Sequence, residues 1–212
     1  MKHHNVRGRL IERTIAVIAE NGLDKTTTKA IVKGTDLNEA YIYSHFSDKE
    51  DLLAQAFAAL DEELVTVAML HVPVMYQTEL NYELRCRLYF GAMWRFLLGN
   101  REKCLAFIRY YYSPYFGKYS APAHRRRYRP LGEKFADAFG EKTHIWMLLH
   151  HILNMMLDFA VKVFSDELPN DDNTAEHVFR LVYHSIMPYF KKEENRLLPA
   201  SRVQGRGETK TQ

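Results

Sequence analysis

The chain reads as an all-α protein: a three-helix N-terminal head on a larger helical bundle, about nine helices in all. Three observations predict this. Apolar residues recur at three- and four-residue spacing along nearly the whole length, as one buried helix face requires. No useful stretch alternates polar and apolar residues as a half-buried strand would, and there is no internal repeat. Helix-start and helix-stop residues fall at the ends of the periodic segments.

The elements follow in order. Leu10, Ile11, Thr14, Ile15, Val17 and Ile18 form the first apolar stripe, closed by Asn21-Gly22. A short second helix spans Thr28 to Lys33, with Thr26 or Thr27 as its cap, and a turn from Gly34 to Leu37 follows. Asn38 is a good cap for a third helix, Glu39 to His45. Ser47-Asp48-Lys49-Glu50 reads as a capping box, Ser47 capping and Glu50 reaching back. It opens a long helix through Leu52, Leu53, Phe57 and Leu60 towards Met69. Past His71 and Pro73, five further helices are expected over 78–99, 101–112, 121–139, 143–166 and 173–191. Gly99-Asn100, Ser113-Pro114, Gly140-Glu141 and the turn from Leu168 to Asp172 separate them, and Asn173 with Glu176 is a second capping signal. The organisation expected is a head over 1–50, a body over 51–198 and a disordered polar tail over 199–212.

Composition excludes several classes. Hydrophobic residues make up 47% of the chain, enough for a sizeable core. No run of 18 uncharged apolar residues is present, so no membrane span is expected. The N-terminus lacks the form of a signal peptide, and the two cysteines, Cys86 and Cys104, form no Cys-x-x-Cys pair. A cytoplasmic protein without a disulfide framework is the expectation. No nucleophile elbow, Gly-rich phosphate loop or His-Glu-x-x-His is present, so no catalytic residue, cofactor or enzymatic activity is assigned. Net charge is +3, but from Met1 to Gly34 Lys2, Arg7, Arg9, Arg13, Lys25, Lys29 and Lys33 outnumber Glu12, Glu20 and Asp24. That bias permits a nucleic-acid-binding head without demonstrating one.

Two short helices joined by a tight turn form the helix-turn-helix plan, whose second helix enters the DNA major groove with its N-terminal residues at base edges. Asn38, Glu39, Ala40 and Tyr41 would be that surface. Ile42 would turn inward against Ile31, and Phe46 would close the small core.

TTTKAIVKGTDLNEAYIYSHF, from Thr26 to Phe46, followed by SDKEDLL, resembles the head of the TetR family of transcriptional regulators. The preceding helix, ending in Glu20-Asn21-Gly22, is similar too, and the resemblance covers about the first 60 residues. It implies a phosphate contact at Thr27 or Thr28, backbone contacts at Tyr43 and His45, a phosphate contact at Lys49, and base reading from Asn38 to Tyr41. For Tyr41 and Tyr43, ordinary packing is the other reading. Two positions depart from the family pattern. Asp36 stands where the turn usually has Gly, which implies a left-handed residue tolerated at some cost. Glu39 stands where basic or neutral residues are common; it repels phosphate but can accept from cytosine N4.

The body is dense in aromatics, most of them core. A cavity among them is the default place for an apolar or aromatic ligand, with Trp94, Phe107, Tyr111 and Trp146 as lining and His151 or Asn154 as polar anchor. The last two long helices, about 143–166 and 173–191, would pair with a second copy as a four-helix bundle, with His144, Leu148, His151, Phe179, Tyr183 and Ile186 at the interface. His144, His151 and Asp158 share one stripe, and His177 and His184 another. Their seven-residue spacing is about 10.5 Å of helix, too far for chelation from one helix, so no metal is assigned. Arg125-Arg126-Arg127 with Arg129 is a solvated face, or one that meets an anionic ligand or DNA. The function expected is a ligand-responsive regulator, in the repressor sense, binding palindromic double-stranded DNA as a homodimer. The alternative is a ligand-binding or protein-docking helical domain whose head has lost DNA binding, favoured by Asp36 and Glu39.

Overall fold

The computed structural model describes residues 6–139 and 144–190. Nine α-helices lie among the described residues: α1 Val6–Asn21, α2 Thr28–Val32, α3 Glu39–His45, α4 Lys49–His71, α5 Tyr82–Gly99, α6 Arg101–Tyr111, α7 Ala121–Ala136, α8 Ile145–Phe164 and α9 Asp172–Ile186. A 3-10 turn, Val72–Tyr76, follows α4, a π turn, Phe116–Ser120, precedes α7, and a 3-10 turn, Met187–Tyr189, ends the described chain. The tail over 199–212 and the break at Gly140-Glu141 lie outside the described residues.

Two apolar cores organise these helices. Leu10, Ile31, Leu37, Ile42, Phe46 and Leu52 form a small one inside the head. The large body core draws on α1 and on α4 through α9, from Ile15 and Ile18 to Ile186. α1 and α4 therefore serve both. Leu10 and Leu52 point into the head core, while Ile18, Leu53 and Phe57 point into the body core. A helix shared between two cores transmits displacement as a rigid rod, because close-packed side chains leave no slack. The joint is reinforced from α6, where the Arg109 guanidinium donates to the carbonyls of Ile18 and Ala19 at 2.8 and 2.7 Å. Both carbonyls lie in the last turn of α1, where Ile18 also accepts from the Gly22 amide at 3.0 Å.

Local chemistry explains the helix ends. Gly22, at φ +78°, takes the left-handed conformation that stops α1. Thr27 caps α2, its hydroxyl oxygen accepting from the Ala30 amide at 3.1 Å. At α4 the expected capping box is displaced by one residue. Asp48, not Ser47, is the cap, accepting from the Asp51 amide at 2.7 Å, and Asp51, not Glu50, reaches back to the Ser47 amide at 3.0 Å. The same correction applies at α9, where Asp171 rather than Asn173 caps, accepting from Thr174 at 2.8 Å. In both places an aspartate competes with a neighbouring polar residue, and the ionised acceptor makes the stronger bond to a helix-terminal amide. α5 starts later than expected, with Asn81 accepting from the Leu84 amide at 2.9 Å.

Candidate DNA-binding head and effector cavity

The turn between α2 and α3 is stiffened from within. Gly34 takes the left-handed conformation at φ +76°. The Thr35 hydroxyl donates to the Val32 carbonyl at 2.8 Å and accepts from the Leu37 amide at 3.1 Å. Asp36 does not carry the left-handed residue, contrary to the sequence expectation; the glycine two positions earlier does. The Asp36 carboxylate instead pairs with Arg9 of α1. Glu39 is also engaged inside the head, accepting from the Thr28 hydroxyl across the α2–α3 corner. Both departures from the family pattern are therefore held by intramolecular partners.

α3 is pinned by its inner face. Ile42 is fully buried and Phe46 nearly so, which fixes which side chains face out. Asn38, Ala40, Tyr41, Tyr43 and His45 are exposed. Tyr43 is 61% and Tyr41 42% exposed, so neither ring is spent on packing. Asn38 sits at the cap position in extended backbone, but its side chain makes no capping bond, which leaves the amide free to face outward. Thr27 is exposed, Thr28 and Glu39 are half-buried, and Lys49 lies at the start of α4, 3.7 Å from Glu50.

The body holds an apolar cavity of about 100 Å³ between α4, α5, α7, α8 and α9. Among the described residues no Asp, Glu, Lys, Arg or His lines it; Leu64, Tyr89, Phe90, Phe135, Met156 and Phe179 are typical of its wall. Beside it is a smaller niche of about 20 Å³ lined by His124, Arg125, Trp146 and His150. Tyr128, Leu149 and Leu153 belong to both walls. Trp146 lies over Gly132, where a Cβ would meet the indole at 3.4 Å.

A buried polar cluster backs the niche. Asp61 of α4 is fully buried, its carboxylate 2.8 Å from His124 Nδ1 and 3.2 Å from the Arg127 guanidinium. The Tyr111 hydroxyl and His150 Nδ1 are 3.1 Å apart. Burial, and then the neighbouring His124, hold the His150 pKa below its ordinary value. The Tyr128 hydroxyl is buried and lies against the Asp61 carboxylate. Burial and the nearby Asp61 charge push its pKa well up, so it stays protonated.

The expected ligand residues are dispersed. Trp94 is buried core, stacked on Phe90 at 5.8 Å, and does not line the cavity. Phe107, Tyr111 and Asn154 come together in a separate cleft of about 170 Å³ that also includes the exposed Tyr112 and Asp158. Trp146 lines the niche, and His151 is exposed, its Nε2 2.8 Å from the Ser185 hydroxyl. Spacing could not find Tyr128, His124 and His150, because nothing local distinguishes a cavity wall from solid core. Asp61 did leave a signal, standing on the apolar stripe of Phe57, Leu60, Leu64 and Ala68. Among the described residues no three His, Cys, Asp or Glu side chains converge as a metal site.

The expected interface residues divide. Leu148, Phe179, Tyr183 and Ile186 are buried within the chain's own core, and Phe179, Tyr183 and Ile186 line the cavity, so they do not face a partner. The amphipathic stripe selected the inner face. His144 and His151 remain exposed. The outward face carries Met147, 69% exposed, and Leu181, 51% exposed. α8 is 20 residues long with a mean hydropathy of 1.3, and only 28% of that window is buried. By length and composition alone it would qualify as a membrane span. It nevertheless packs on α5, α6, α7 and α9 and carries His150, His151, Asn154, Asp158 and Lys162 along its length.

A three-helix head whose third helix is pinned inward by Ile42 and faces outward with Tyr41 and Tyr43, set on a helical body, has the helix-turn-helix architecture. Residues 10–56 match the family described as bacterial regulatory proteins, tetR family. The fold is similar to that of a TetR family transcription regulator from Marinobacter aquaeolei VT8 (TM-score 0.68, 16% identity, covering 85% of this chain and 94% of that one). It is equally similar to a TetR family regulator from Shewanella sp. PV-4 (TM-score 0.68, 16% identity, 86% and 98% covered). It also resembles the multidrug binding protein EbrR in complex with imidazole (TM-score 0.54, 18% identity, 84% and 95% covered). No curated protein matches the chain by sequence. Residues 10–56 thus match the head of that family, and the chain has the fold of solved TetR family regulators.

Proposed function

We propose that the chain is a ligand-responsive repressor that binds palindromic DNA as a homodimer and acts by binding rather than catalysis. The observation that carries the DNA reading is the exposure of Asn38, Ala40, Tyr41 and Tyr43 on a helix pinned by buried Ile42. Asn38 to Tyr41 read base edges. Thr27, Tyr43, His45 and Lys49 hold phosphates, and Thr28 positions Glu39. The alternative of a degenerate head loses its main support, because Asp36 and Glu39 are engaged with Arg9 and Thr28. α8 and α9 meet their counterparts in a second copy through the Met147–Leu181 face.

Effector sensing is assigned to the apolar cavity, as a small hydrophobic or aromatic molecule suits its wall. α4 is the link to the head. Leu64 and Ala68 line the cavity, while Leu52, 12 residues back and about 18 Å along the helix, packs in the head core. An effector that favours one α4 position over the other shifts the spacing of two heads, and with it DNA affinity. EbrR, a multidrug binding protein of similar fold solved in complex with imidazole, supports the reading that this fold takes small molecules.

Fluorescence anisotropy with labelled DNA tests the docking pose. Lys49→Ala and Tyr43→Phe are expected to weaken binding to all sequences, Lys49→Ala lowering the salt slope by about one. Asn38→Ala and Tyr41→Ala are expected to change which sequence is preferred. Equal changes of selectivity from both pairs would reject the pose.

A further inference from the structure

We propose that the cleft between α6 and α8 is a second binding site, and that it takes a small organic ammonium ion held between the rings of Phe107, Tyr111 and Tyr112 and the carboxylate of Asp158. None of the residues that line the cleft lines the apolar cavity, so the inference stands apart from the effector reading above.

Helical register builds the walls. Phe107, Tyr111 and Tyr112 stand together at the end of α6, and Asn154, Leu157 and Asp158, three and four residues apart, share one face of α8 opposite them. The cleft holds about 170 Å³, close to the ~150 Å³ of an apolar cavity that admits benzene. An ammonium ion carrying one ring or a few short alkyl groups matches that size.

The rings supply the first attraction. Tyr111 stacks on Phe107, centroids 5.7 Å apart, and meets Tyr112 edge to face at 5.3 Å. Tyr112 is 69% exposed, so its ring is not spent on packing. The face of an aromatic ring carries a partial negative potential that attracts a cation, and quaternary ammonium groups are bound in this way.

Charge supplies the second and sets the sign of the guest. Asp158 is exposed at the cleft, and among the described residues no Lys, Arg or His lines it. Lys162, one turn further along α8, is paired with Glu167 at 3.5 Å, which leaves Asp158 without an ion pair among the described residues. The Arg109 guanidinium of α6 is engaged elsewhere, on the Ile18 and Ala19 carbonyls. One uncompensated carboxylate beside three rings repels an anion and leaves a neutral guest with the rings alone. A quaternary ammonium uses both, its alkyl shell against Phe107 and Leu157 and its charge towards Asp158.

Isothermal titration of the full chain with phenyltrimethylammonium and its uncharged isostere tert-butylbenzene tests this. Asp158 and Tyr112 are both exposed, so their variants keep the fold. Asp158→Asn is expected to weaken the cation about threefold, as loss of one exposed charge pair would, and to leave the isostere unchanged. Tyr112→Leu is expected to weaken the cation about fivefold, whereas Tyr112→Phe, which keeps the ring face, leaves it unchanged. Absence of any binding of phenyltrimethylammonium, or cation affinity that survives both Asp158→Asn and Tyr112→Leu, would overturn the proposal. So would an equal loss of the isostere on Asp158→Asn, which would remove charge from the recognition, or an equal loss from Tyr112→Phe and Tyr112→Leu, which would assign the contact to the hydroxyl rather than the ring.

Discussion

His150 shows how a single side chain ties the body to solution conditions. It is half-buried on α8, faces Tyr111, His124, Arg125 and Trp146 across the niche, and is held below its ordinary pKa of 6.5 by burial and by His124. An unfolded histidine therefore takes up its proton at higher pH than the folded one. The stabilisation from keeping it neutral is complete above about 6.5 and is lost as pH falls through that value towards the folded pKa. Thermal unfolding between about pH 7 and pH 5 should show a falling Tm, and His150→Asn should make the fall shallower; an unaltered slope would place the proton uptake elsewhere. The sequence showed His150 only as one residue of an apolar helix. Its setting depends on α6 and α7 arriving from other parts of the chain, which no local pattern encodes. Ile42 and Phe46 are the opposite case, since their inward direction follows from the helical period and three neighbouring elements alone.

At the scale of elements, what was legible was the existence of each helix; what was not was the identity of the capping atom. Ser47 and Asp48 are adjacent and equally suited by type, and only the backbone path decides which side chain reaches the orphan amides. Here Asp48 does. Asp48→Ala is expected to destabilise the chain by about 1 kcal/mol in chemical denaturation, and Ser47→Ala by less than half of that; the reverse order would restore Ser47 as the cap. The turn between α2 and α3 carries the same lesson. Gly34 and Thr35 set its shape, while Asp36 was freed to pair with Arg9. Amphipathicity also found α8 and α9 but could not tell inner stripe from outer. Phe179, Tyr183 and Ile186 satisfy the period because they serve the chain's own core.

At the scale of the molecule, an uncovered apolar face and a pair-demanding DNA geometry point the same way. Met147 and Leu181 stand open on α8 and α9, and exposed apolar area of this kind favours burial against a partner. A stable dimer requires roughly 1,000 Å² or more of buried surface. Met147→Glu combined with Leu181→Glu should convert a dimer into a monomer in analytical ultracentrifugation at micromolar concentration, since both charges would be buried in like-charged pairs across a two-fold axis; a dimer that survives both would place the interface elsewhere. The central claim is that two heads read DNA together. Selection of bound sequences from a random double-stranded pool by the full chain tests it most directly. The result expected is enrichment of a two-fold symmetric sequence, its half-sites centred about one helical turn or more apart. Enrichment of a single unsymmetric half-site, or no enrichment above the input pool, would contradict it.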